Sequence, residues 1–96
     1  MDERDFTERA EHALARIETM LEAAGLDYDL RPGGVLEVEL EDGSQMVIHR
    51  QAASREIWVA ARSGGFHFRW NGAAWLDTRS GESLETQLER LMHEAA

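Results

Sequence analysis

Apolar residues recur at three- and four-residue spacing from Asp5 to about Ala24, at Phe6, Ala10, Ala13, Leu14, Ile17, Met20, Leu21 and Ala24. That spacing draws one buried stripe along an amphipathic helix, which Gly25 ends. The period then changes to two. Asp27 to Leu30 alternates as a short first strand, and Pro32 with Gly33-Gly34 turns the chain and suits a sheet edge. Val35 to Leu40 places Leu36, Val38 and Leu40 on one face and Glu37 and Glu39 on the other. Asp42-Gly43 is a hairpin signal leading into Gln45 to Arg50. Further strands are predicted at 56–61, 66–70 and 74–77, with Ser63-Gly64-Gly65 and Asn71-Gly72 as turns. A second amphipathic helix closes the chain, with Ser80 or Ser83 as N-cap and Leu84, Leu88, Leu91 and Met92 as its stripe.

Two helices with one apolar stripe each, and a sheet with one apolar face, have a direct solution. Both helices cover the same face of a single antiparallel sheet, an α+β sandwich, and the other face stays wet. With 96 residues the chain has room for one domain, taken as residues 1–96, and one modest core.

Composition narrows the chemistry. The chain has no cysteine, which excludes a disulfide framework, a zinc finger and any iron–sulfur cluster held on its own thiolates. A net charge of -9, from 19 acidic and 10 basic residues, argues against nucleic acid and for cations or basic protein surfaces. No apolar run approaches the roughly 20 residues of a membrane span, and no basic segment followed by a hydrophobic one opens the chain. A soluble protein without a membrane partner is the expectation. The serines fall in turns and caps with no His and acid beside them, and Gly64-Gly65 precedes a strand, so neither nucleophilic catalysis nor a phosphate loop has support. The four histidines show no ligand pairing at helical spacing.

Two constellations remain. At 100° per residue, Glu11, Glu18 and Glu22 fall within an arc of roughly 40° on one flank of the first helix, with Arg9, His12 and Arg16 on the other. Glu18 and Glu22 are a like-charge pair at i,i+4, which costs an isolated helix a few tenths of a kcal/mol. Asp27 and Asp29 follow on the first strand. Spacing alone favours a solvated acidic face, since a charge run usually means no more than solubility. The second constellation is on the sheet, where Ile57 and Val59 face the helices and Trp58 is forced outward with His49, Glu56, His67 and Arg69. An outward Trp either lies flat on its neighbours or anchors a contact.

The stretch Gly34-Val35-Leu36, Asp42-Gly43-Ser44, His49-Arg50-Gln51, Ile57-Trp58-Val59-Ala60, Gly64-Gly65-Phe66-His67-Phe68 and Trp75 resembles, in this order and spacing, the frataxin family and its bacterial, CyaY-like branch. The resemblance implies an α-β-sandwich and a bacterial cytoplasmic protein of iron–sulfur cluster assembly, acting as iron donor or regulator. Its implied partners are the cysteine desulfurase and the scaffold protein. It also implies carboxylate ligands for iron on the first helix and adjoining strand, at the matching Glu18, Glu22, Asp27 and Asp29, with Glu11 on the same flank. Scaffold contacts would fall at the positions of Gln51, Ser54, Glu56, Trp58 and His67. Oxygen donors without Cys or His bind Fe²⁺ weakly and exchangeably, with Fe³⁺ or other divalent cations as competitors.

This chain departs from the pattern at Thr19, Ala23 and Ala24, where relatives carry further acids. It departs again at His49 in place of Asn and at Ala53 in place of Pro. Alternatives of other classes are a weak ferroxidase that stores iron in oligomers, and a protein-binding domain without metal function. A monomer is expected, with iron-dependent oligomers open.

Overall fold

Asp2 starts the first helix: its carboxylate accepts a hydrogen bond from Asp5 N at 2.8 Å, satisfying one of the donors that a helix N-terminus leaves free. The computed structural model describes residues 1–96 and places this helix, α1, at Glu3–Ala23. Its end is a glycine-terminated cap. Gly25 takes φ 71°, and Leu26 N donates back to Leu21 O at 3.0 Å. The strands follow as β1 (Tyr28–Arg31), β2 (Val35–Glu39), β3 (Gln45–Gln51), β4 (Glu56–Ala61), β5 (Gly64–Trp70) and β6 (Trp75–Asp77). A 3₁₀ turn, Ala52–Ser54, joins β3 to β4, and α2 (Leu84–Glu94) ends the chain with Ser83 as its N-cap.

All six strands form one antiparallel sheet in sequential order β1 to β6. Short connections dictate this, because a chain that turns tightly can pair only with the strand it has just left. One face carries Leu36, Val38, Met46, Ile48, Ile57, Val59 and Phe68, all buried. Against it lie Phe6, Ala10, Leu14, Ile17 and Leu21 of α1, and Leu84, Leu88 and Leu91 of α2. The helix-on-sheet expectation therefore holds. Met20 is only partly buried and Ala24 is exposed, since Ala24 has become the helix cap rather than its last core residue.

The β4–β5 turn differs from the expectation. It lies at Arg62-Ser63, and Gly64 and Gly65 are already paired with Ala61 and Ala60 inside the ladder. Gly64 sits at φ 145°, a conformation few residues other than glycine adopt. This lets a strand begin directly after a tight turn.

The two sheet edges are managed differently. On the outer side of β6, Asp77 N donates to Glu82 O at 2.8 Å and Leu76 bridges to Ser83, so the approach to α2 covers that edge. Asp77, itself buried, also accepts from Arg79 N at 2.7 Å, and the Gln87 amide donates to its second oxygen at 3.0 Å when oriented to satisfy both groups. At the opposite edge β1 has no outer partner. Leu30 there, on the helix-facing side across from Leu36, is 59% exposed because the helices do not reach it.

Candidate functional site

On the open face, strand register places His49, Trp58 and His67 side by side across β3, β4 and β5. The His67 ring stacks on the indole of Trp58, with centroids 4.3 Å apart and planes 10° from parallel. His49 meets the other side edge-on at 5.6 Å. Both are favourable aromatic arrangements, and they hold the Trp58 ring in place on a face that no helix covers.

The neighbouring row contains Gln51, Glu56 and Arg69. Glu56 is only 6% exposed, which is unusual for a carboxylate on the solvent side of a sheet. Trp58 Nε1 donates to its Oε1 at 2.8 Å, and Arg69 donates to Oε2 at 2.8 Å. His67 Nδ1 is 3.8 Å from Oε1. Burial works against ionisation of Glu56, but the hydrogen bonds from Trp58 and Arg69 and the Arg69 charge outweigh it and hold the carboxyl below its ordinary value. Ser54 stands near enough to add to this effect, although its buried hydroxyl is not in regular hydrogen-bonding geometry with any partner.

The loop after β3 is braced by two arginines. Arg55 occupies the left-handed region at φ 57° and its guanidinium donates to Ala52 O at 2.9 Å. Arg50, on the helix-facing side, reaches Glu11 of α1 at 3.3 Å. Gly34 makes room for this arm, since a Cβ there would lie 3.0 Å from Arg50 Nε. Glu11 is thus tied to the sheet.

The ridge residues divide into three neighbourhoods. Glu18 and Glu22 share a helix flank with Tyr28 of β1, whose hydroxyl donates to Glu22 Oε2 at 2.8 Å. The Tyr28 pKa is pushed up to about 12, chiefly by this hydrogen bond, then by partial burial and the charges of Glu22 and Glu18. Asp27 lies exposed at the start of β1, its carbonyl accepting from Glu39 N at 3.0 Å. Asp29 pairs with Glu37 on the opposite sheet face from Tyr28 and lies 3.8 Å from Arg31. No set of three His, Asp or Glu side chains is gathered to hold a metal ion.

A family model described as a frataxin-like domain matches residues 1–96. The chain belongs to the frataxin family. It is 52% identical to the iron-sulfur cluster assembly protein CyaY of Dechloromonas aromatica, over 100% of this chain and 93% of that protein. Against the protein of the same name from Bordetella parapertussis the identity is 46%, with the same coverage of each. The fold is similar to that of frataxin from Psychromonas ingrahamii, with a TM-score of 0.88 at 30% identity over 98% of this chain and 90% of that one. Trimeric frataxin from Saccharomyces cerevisiae, complexed with ferrous iron, gives a TM-score of 0.71 at 26% identity over 99% and 86%.

Within this frataxin frame, strand alternation accounts for the outward Trp58 and its polar company but not for how they interlock. The odd-even pattern carries the face of each side chain. It does not carry the cross-strand register that stacks His67 on Trp58 or buries Glu56 beneath Arg69. Tyr28 was also missed as a neighbour of Glu22; its parity with Val38, toward the helices, was the available signal. No helix is long and apolar enough to cross a membrane.

Proposed function

We propose that this frataxin serves iron–sulfur cluster assembly in the bacterial cytoplasm. It docks on the scaffold protein through the open face around Trp58 and carries Fe²⁺ weakly on the ridge, which also meets the cysteine desulfurase. The observation that carries this reading is the His49–Trp58–His67 row above a buried, ionised Glu56. A Trp fixed on an uncovered surface, ringed by polar groups, is the composition of a binding anchor.

For iron, Glu18 and Glu22 are the candidate core of a site, with Asp27 just before β1 and Asp29 around the β1 edge as further donors. Glu11 joins only by leaving Arg50. Such a set binds an ion by gathering around it, which suits exchangeable carriage of cargo better than storage.

The absence of three converging ligands favours one second reading, a frataxin that docks on the same partners without metal. Amide chemical-shift mapping separates the two. In an anaerobic Fe²⁺ titration, carriage predicts saturable changes at residues 18, 22 and 27–29. In a desulfurase titration the ridge shifts, and in a scaffold titration the open face shifts. Ridge amides untouched by Fe²⁺ at millimolar concentration would leave the metal-free reading.

A further inference from the structure

A cleft of about 530 Å³, lined by none of the Trp58 row, lies between α1, the β5–β6 turn and the start of α2. Its size falls within the range of small-molecule sites. Ala13, Trp70, Ala73 and Trp75 supply an apolar floor, and Arg9, His12 and Arg16 project along one wall. These three recur at spacings of three and four on α1, so they share one flank over about 10 Å.

The charges of this wall are unspent. Six of the ten arginines, at 4, 31, 50, 62, 69 and 90, have a carboxylate at ion-pair distance. Arg9 and Arg16, like Arg55 and Arg79, do not, in a chain with 19 acidic residues. Arg9 is also held in place: its guanidinium lies over the Trp70 ring, 4.8 Å from the centroid. A guanidinium over an indole face can still donate from its nitrogens, and a carboxylate is the acceptor that its fork matches. The acidic lining is Asp5 and Glu85 with Glu8, and Glu8 faces Arg4 at 3.8 Å. Asp5 and Glu8 precede Arg9 on α1, so along the helix the basic stretch of the wall runs from Arg9 to Arg16.

We propose that this cleft binds a small organic carboxylate, with its charge on Arg9, His12 and Arg16 and a flat apolar body against Trp70 and Ala73. Nothing in this assignment depends on the iron ridge or the open sheet face.

Phenylacetate is a suitable probe, followed by amide and indole chemical shifts at constant ionic strength, with phenylacetamide as its neutral counterpart and acetate as the charge without the ring. The expected result is saturable change at the Trp70 indole and the amides of Ala13, Ala73 and Ala74. Affinity should be at least about tenfold lower for phenylacetamide and for Arg16→Gln, because a hydrogen bond to a charged group is lost in each. Acetate should be weaker than phenylacetate. Arg62→Gln, on the β4–β5 turn and paired with Asp42 away from the cleft, should bind as the wild type does. Arg16 is exposed and unpaired, so Arg16→Gln should keep the wild-type melting temperature, and Arg9→Gln gives an independent second variant. No saturable change with phenylacetate, changes centred elsewhere, equal response to phenylacetamide, or full affinity in both variants would each overturn the proposal.

Discussion

The indole nitrogen of Trp58 donates to Glu56 Oε1 at 2.8 Å, so the half-buried indole of the open face is fastened to the one carboxylate buried there. The two residues are neighbours on the same strand face at i,i+2, and each fixes the other. Glu56 orients the ring, and the ring with Arg69 shields Glu56 from water. A rigid aromatic loses little conformational entropy when a partner covers it, which is what a docking anchor requires.

Substitution Glu56→Gln should lower stability at pH 7 by about 1–2 kcal/mol, since two hydrogen bonds to a charged group become weaker neutral ones and Arg69 is left without its counter-charge. The folded-state pKa of Glu56 is depressed, so its contribution is fully present above the ordinary value of 4.5 and is lost as pH falls through the lower folded value. Wild type and variant should therefore converge in acid. Urea unfolding from pH 7 down to about pH 3 measures this. Parallel curves would show that Glu56 gains nothing from being ionised in the fold.

The Gly34 position sets helix against sheet. It holds φ 75°, and a Cβ would meet Arg50 Nε at 3.0 Å, Arg50 Cδ at 3.2 Å and Leu14 Cδ1 at 3.3 Å. Gly34→Ala should cost about 2 kcal/mol or more, from the left-handed backbone and from displacing Arg50 off Glu11. Gly33→Ala, at φ 86° with open space around it, carries the backbone cost alone, about 1–2 kcal/mol. Urea midpoints that rank Gly33→Ala as the more damaging would contradict this account of the turn.

The ridge should respond to metal more than to mutation. Glu18→Gln with Glu22→Gln removes a like-charge pair but weakens the acceptor of the Tyr28 hydroxyl, two effects of a few tenths of a kcal/mol that oppose each other. Apo stability should change by less than about 0.5 kcal/mol. Anaerobic Fe²⁺ at ten times its dissociation constant should stabilise the wild type by about 1.4 kcal/mol and the double variant by much less. In the same variant, spectroscopic titration of Tyr28 should move from about 12 back toward the ordinary phenol value of 10.0. Equal stabilisation of both proteins by metal would remove Glu18 and Glu22 from the ligand set.

How far the sequence carried each part depends on the range of the forces involved. Element types, the single sheet and the two covering helices follow from periodicity, because burial of Leu36, Val38, Ile57 and Val59 on one face is a local alternation. The outward direction of Trp58 follows from the same rule. Burial of Glu56 does not, since it depends on Arg69 thirteen residues away and on a register that no local pattern encodes. The ridge was legible as a helix flank. Its continuation was not, because a strand's twist and alternation carry Asp29 to the other face while Tyr28 takes the place beside Glu22.

Trp58→Ala, measured for both stability and scaffold affinity, tests the docking face most directly. Truncation removes a stacked ring and one hydrogen bond and opens no core cavity, so the urea midpoint should fall by the equivalent of about 1–2 kcal/mol. Affinity for the scaffold protein should fall by about 2 kcal/mol or more, roughly thirtyfold. Unchanged scaffold affinity in a folded variant would contradict the docking face, and a stability loss of about 3–5 kcal/mol would show Trp58 to be a core residue instead.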